Sequence, residues 1–290
     1  MFKTLIDTAT LSGFLDDPQW VIVDCRFTLT DTEAGARAYA AGHIPGACYA
    51  HLDRDLAAPV APGTGRHPLP DPAVLARTLG SWGIGRGKQV VVYDDSFGAI
   101  AVRLWWMLRW LGHDAVALLD GGLAKWRREG RPLTAVIATP RPVVFEAHPD
   151  DRLWVGSEFV RDALARRECL VMDARSEERF CGDVEPLDPV AGHIPGAVNL
   201  PFEDNLAMSG EFLPPEELRS LYLGFLGNVP PGRVIQMCGS GVTACHNLLA
   251  MEHAGLRGAR LYAGSWSEWI TDPLRPVAVN GDKGTPGVGR

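Results

Sequence analysis

This sequence of 290 residues has no pair of cysteines at C-x-x-C spacing; its six, Cys25, Cys48, Cys169, Cys181, Cys238 and Cys245, are scattered. No Cys or His cluster stands at ligand spacing, which argues against structural zinc, and a chain of this size needs no disulfide staples. Reduced thiols and no structural zinc are therefore expected. A long apolar run is also missing: the richest stretch, AIAVRLWWMLRWLG, is broken by Arg103 and Arg109, so no membrane span is predicted. Nor is there a basic excess. Lys and Arg total 28 against 35 Asp and Glu, a formal charge of −7 that argues against a sequence-independent nucleic-acid binder. The opening MFKTLIDTATLSG soon reaches FLDDPQ and has no secretory pattern, so a cytoplasmic location is expected.

What the sequence does contain is itself, twice. VIVDCR (21–26) is echoed by LVMDAR (170–175), and AGHIPGA (41–47) returns unchanged at 191–197. QVVVYDDSFGAIA (89–101) parallels RVIQMCGSGVTA, and LLDGGLAKW (118–126) parallels LYAGSWSEW (261–269). The near-constant separation predicts tandem copies of one domain: residues 1–137, a Pro-rich linker at 138–151, and residues 152–290. Each copy alternates short β-branched runs (VIVD, VVVY; LVMD, VIQM) with helical stretches such as DPAVLARTLGSWG and PPEELRSLYLGFLG. Continuous apolar strands between helices imply an α/β fold with a central parallel sheet flanked by helices in each copy.

Cys238 stands where a strand, VIQM, gives way to a helix, TACHNLLAMEHAG. In open α/β sheets ligands bind at such strand ends. Gly239 and Gly241 let backbone N–H groups curl around one point, and the helix start favours an anion there, so cysteines so placed ionise below the ordinary thiol value of about 8.5. The other five cysteines read as structural, since a buried cysteine behaves as a small hydrophobe. A phosphatase loop needs an arginine six residues after the cysteine, and Ala244 stands there, so phosphate chemistry is disfavoured. In the first copy the position matching Cys238 reads as Asp95, which makes one copy the catalyst and the other a support.

Tandem domains, paired GHIPGA motifs, a cysteine only in the second copy and the loop C-G-S-G-V-T-A together resemble the two-domain rhodanese family of sulfurtransferases. The loop is most similar to that of the 3-mercaptopyruvate sulfurtransferases; thiosulfate-using relatives carry two basic residues where this chain has Gly239 and Ser240. The resemblance implies tandem rhodanese-like domains and a ping-pong reaction that requires no metal or organic cofactor. Sulfane sulfur passes from 3-mercaptopyruvate or thiosulfate to a Cys238 persulfide, and then to cyanide, a thiol or a thioredoxin-like reductant. It further implies a proton-handling triad of Ser240, His67 and Asp53, with Arg179, Gly239, Gly241, Val242 and Thr243 binding the donor. A neutral histidine can exchange a proton with serine when a carboxylate holds its tautomer. A second arginine expected about nine residues after Arg179 is missing, with Leu187 at that place, so thiosulfate stays open as a donor.

His43 and His193 recur in both copies and read as anchors of the fold; Trp266 and Trp269 read as packing residues, with Gly264 and Ser265 near the site. Two other functions share the same loop. One is a persulfide carrier loaded by a partner protein, and the other a redox sensor pairing Cys238 with Cys181 or Cys245.

Overall fold

WVIVD and QVVVY, apolar and β-branched, become adjacent central strands of a parallel sheet in the computed structural model, which describes residues 1–279. The chain divides into two units. The first comprises Met1–Pro59, Leu69–Asp150 and Met208–Glu211; the second comprises Val60–Pro68, Asp151–Ala207 and, among the described residues, 212–279. The contiguous ranges expected from the repeat are thus crossed twice, by one short segment in each direction.

The strands of the first unit are β1 (Leu5–Ile6), β2 (Trp20–Asp24), β3 (Cys48–Tyr49), β4 (Gln89–Tyr93) and β5 (Val116–Leu119), in the order β1-β5-β4-β2-β3. Those of the second are β6 (Trp154–Val155), β7 (Leu170–Asp173), β8 (Val198–Asn199), β9 (Val234–Met237) and β10 (Arg260–Tyr262), in the order β6-β10-β9-β7-β8. All pairings are parallel, and the second order reproduces the first strand for strand. The predicted helical stretches form helices at Pro72–Ser81 and Pro215–Leu226. Asp71 caps the former by accepting the Ala73 and Val74 N–H groups, and both begin with proline, whose missing N–H costs nothing in a first turn.

The repeated motifs meet in space, which explains why they recur together. Arg26 donates to Asp24 (Nη2 to Oδ2, 2.7 Å) and to the Gly42 carbonyl (2.8 Å); Arg175 does the same to Asp173 (2.7 Å) and Gly192 (2.8 Å). Each buried guanidinium therefore ties a strand end to its GHIPGA turn. The histidine of each turn lies flat on an aromatic ring and bonds a nearby carbonyl through Nδ1. For His43 the ring is Tyr39 at 3.9 Å and the bond to Tyr39 O is 2.7 Å; for His193 the ring is Phe180 at 3.8 Å and the bond to Phe180 O is 2.8 Å. Both serve as anchors. Trp266 and Trp269 pack in the second unit's core with Tyr262 and Phe180.

One sequence expectation needs correction. Asp24 pairs in register with Tyr93, and Asp173 with Met237, so the residue standing where Cys238 does is Asp94, not Asp95. The following helices agree: Leu123 N–H donates to Asp94 O (2.9 Å) as Trp266 N–H does to Cys238 O (3.0 Å). The first loop is one residue longer, reaching its left-handed glycine, Gly98 (φ 91°), four positions after Asp94, whereas Gly241 (φ 75°) follows Cys238 by three. Two aspartates in succession hide that insertion in the sequence.

The Asp94 side chain fills its own loop. Oδ1 accepts the N–H groups of Ser96 (2.9 Å) and Gly98 (2.8 Å), and Oδ2 those of Ile100 (2.9 Å) and Ala101 (2.8 Å). Burial pushes this carboxyl above the usual carboxylate range, against the pull of the four donors.

Candidate active site

In the second unit the strand β9 delivers Cys238 to the head of the helix Ala244–His253. Its side chain is buried, 2% exposed. The backbone around it is clamped: Cys238 N–H donates to Ser265 Oγ (3.1 Å), Ser265 Oγ donates to Tyr262 O (2.8 Å), and Ser267 N–H donates to Gly239 O (2.9 Å). Ser265 itself holds a left-handed φ of 54°, uncommon for a residue with a side chain. Gly241 is required twice over, since a Cβ there would sit 2.2 Å from Ala263 O. Val242 is buried and Thr243 half-buried where the helix begins.

Ser240 and His67 are brought together as expected, with His67 Nδ1 2.7 Å from Ser240 Oγ and both side chains buried. The histidine arrives on Val60–Pro68, which belongs to the second unit although it lies in the first half of the sequence. Arg66 N–H donates to Ser267 Oγ (3.0 Å), and Gly65 lies so close to Gly264 O that a Cβ would stand 2.6 Å from it. This seats the segment beside the cysteine loop. Asp53, named with them from the sequence, lies in the first unit, in the short helix Leu52–Asp55, where its N–H donates to His51 Nδ1 (3.2 Å).

Arg179 reaches the loop from the helix Glu177–Cys181, its guanidinium nitrogens 3.5 Å from where a Gly239 Cβ would be. It is paired with Glu185 (2.8 Å) and Asp188 (3.2 Å), both 3% exposed, rather than in the surface pair its own helix would allow. Burial pushes the Glu185 carboxyl up. The Arg179 hydrogen bond, the Leu187 N–H, the Arg179 charge and the Asp188 N–H overcome that and hold it below its ordinary value. Arg175 also reaches Glu185 (3.4 Å) and lies over the Trp266 ring at 4.9 Å. Leu187, at the place of the expected arginine, faces outward and contributes its N–H to Glu185 (3.0 Å).

Sequence reasoning passed over Arg66, Glu185, Asp188 and the clamping role of Ser265. A basic residue directly before the expected histidine was the available signal for Arg66. No disulfide joins any of the six cysteines. Among the described residues no group of His, Cys, Asp and Glu is arranged to hold a metal ion, and no helix is long and apolar enough to cross a membrane.

The rhodanese-like domain profile matches residues 7–129 and 158–272. A protein described as "Probable 3-mercaptopyruvate sulfurtransferase" of Pseudomonas aeruginosa is 52% identical over 95% of this chain and 98% of its own length. The thiosulfate sulfurtransferase of Cricetulus griseus is 35% identical over 93% of each chain. Among solved structures, the 3-mercaptopyruvate sulfotransferase SseA from Escherichia coli superposes with a TM-score of 0.79 at 33% identity, covering 91% of this chain and 98% of that one.

Proposed function

The chain belongs to the rhodanese family and is a sulfurtransferase, and from that premise we propose that it takes sulfur from 3-mercaptopyruvate through a Cys238 persulfide. The observation that carries this choice of donor is the buried Ser240–His67 pair beside the cysteine. Cys238 thiolate attacks the donor's sulfur, the C–S bond breaks with its electrons left on carbon, and the S–H proton must travel to that carbon to give pyruvate. Ser240 and His67 are placed to carry it, with Asp53 the proposed carboxylate partner of the imidazole. Thiosulfate, whose outer sulfur leaves sulfite behind, has no such proton to relocate.

A persulfide anion in a loop of this kind is made plausible by the first unit, where the matching turn holds the Asp94 carboxylate on four backbone N–H groups. Gly241, Thr243 and Ala244 are the counterparts of three of those donors. Arg179 is the proposed cation for the donor's carboxylate, with Gly239, Gly241, Val242 and Thr243 forming the floor. In the second half-reaction an acceptor thiolate or cyanide attacks the outer sulfur and releases Cys238 thiolate. A thioredoxin-like reductant in the cytoplasm is the proposed physiological acceptor.

Intact-mass measurement after incubation with mercaptopyruvate is expected to show the gain of one sulfur atom, removed by dithiothreitol. No gain, or a gain retained by Cys238→Ser, rejects the proposal. Ser240→Ala and His67→Gln are expected to lower kcat with mercaptopyruvate by about 10²-fold or more, while turnover with thiosulfate changes far less. Steady-state kinetics with both donors checks this; equal losses would remove the proton-carrying role.

A further inference from the structure

The two repeats use one buried arginine differently. Arg26 and Arg175 each tie a strand end to the following GHIPGA turn, through Nε and Nη2 to an aspartate and through Nη2 to a glycine carbonyl. In the second unit the remaining nitrogen, Arg175 Nη1, donates to the Glu185 carboxylate (3.4 Å). In the first unit Arg26 is 2% exposed, and among the described residues its Nη1 donates to no protein atom. The chain between arginine and turn makes the difference. It loops through Glu185 in the second copy, whereas in the first it winds into the helix Ala34–Ala41, which has no acidic residue. Ala38 and Ala41 of that helix, with Arg26, Asp95, Arg127 and Thr134, line a hollow of about 410 Å³ built from the first unit. That volume is within the roughly 300–1,000 Å³ of small-molecule sites.

An unpaired N–H on a largely buried guanidinium favours an acceptor oxygen, and the other copy shows which kind it takes, a carboxylate. The rim fixes the other end of the ligand. Asp24 balances the Arg26 charge, and Arg127 and Asp95 are one cation and one anion, so the hollow is neutral as it stands. A bare carboxylate would add a negative charge near Asp95; a zwitterion keeps the balance. We propose that the first unit binds a free aliphatic α-amino acid here. Its carboxylate takes on Arg26 Nη1 the place that Glu185 takes on Arg175, with Arg127 beside it, and its ammonium lies on Asp95. Thr134 Oγ accepts the Val136 N–H (3.1 Å), which leaves its O–H to donate to the ligand. The two alanines leave room for the aliphatic side chain. This site goes beyond the sulfur-transfer reading and shares no residue with it.

Ligand-observed NMR titration of the full chain with L-leucine tests the proposal. It is run beside 4-methylpentanoate, the same skeleton without the ammonium, and leucinamide, which lacks the carboxylate. L-Leucine is expected to bind saturably and about tenfold more tightly than either. Ala38→Leu, which fills the hollow with a residue that helices accept, should abolish the binding. Arg127→Gln should weaken L-leucine about fivefold, and Asp95→Asn should do the same while leaving 4-methylpentanoate unchanged or tighter. Both are exposed side chains whose removal does not threaten the fold, whereas Arg26→Gln would also cut the tie to the turn. Circular dichroism checks that each variant is folded. No saturable L-leucine binding, binding that persists in Ala38→Leu, affinity unchanged by both Arg127→Gln and Asp95→Asn, or equal affinity for L-leucine and 4-methylpentanoate overturns the proposal.

Discussion

Replacing Cys238 by serine is expected to lower sulfur transfer by roughly 10⁴-fold or more with either donor, while leaving the protein folded. The chemistry needs an anion that is a strong nucleophile and a good leaving group in turn; a serine hydroxyl at neutral pH is neither without an adjacent base acting on it. His67 bonds Ser240 Oγ and so is not dedicated to position 238. The fold should survive, because the loop is clamped through backbone atoms. Cys238 N–H donates to Ser265 Oγ and Cys238 O accepts from Trp266, bonds that no change of Sγ to Oγ touches. Cys245 is the matched control: it is buried in the helix, its Sγ directed at Gly241 O (3.5 Å), and Cys245→Ser should still load sulfur. Single-turnover measurement of pyruvate release checks both. Residual transfer by Cys238→Ser within tenfold of the native rate would move the nucleophile elsewhere.

Asp94→Ala carries the largest expected effect on stability, a loss of about 4 kcal/mol in urea denaturation. Four N–H groups converge on this carboxylate inside the first unit, and each donor left without a partner costs about 1–3 kcal/mol, part of which entering water recovers. Asparagine is not a remedy. Its amide offers one acceptor oxygen and points two donors at the remaining pair of N–H groups, so Asp94→Asn should be destabilised by a comparable amount. Asp95→Ala, one residue on, should cost far less. A loss under 1 kcal/mol for Asp94→Ala would mean that the turn holds itself without an anion.

The repeat and the strand–helix alternation were legible because a parallel sheet covered on both faces writes itself as continuous apolar runs, as in VVVY and VIQM. The cysteine loop was legible because Gly241 is demanded by backbone geometry; Gly239 has no left-handed φ, and a Cβ there would meet arginine side chains rather than backbone. Ser240 and His67, separated by 173 positions, could be joined only through resemblance to a family, since no local pattern connects them. Arg66, Glu185 and Asp188 escaped for a different reason. In GRHPLPD and VEPLDPVAG they look like ordinary polar residues of Pro-rich loops; the fold sets Glu185 and Asp188 against Arg179, and the packing of Val60–Pro68 adds Arg66 to that cluster. Asp94 was missed by one place, because a single inserted residue in a loop leaves no mark when the neighbouring residue is the same.

Pro59 and Leu69 both belong to the first unit, while everything between them belongs to the second. A gene cut at the apparent boundary would therefore separate Cys238 and Ser240 from His67 and Arg66, stranding them on different polypeptides. One folded unit thus draws on both halves of the sequence, and no single cut between the repeats leaves it whole.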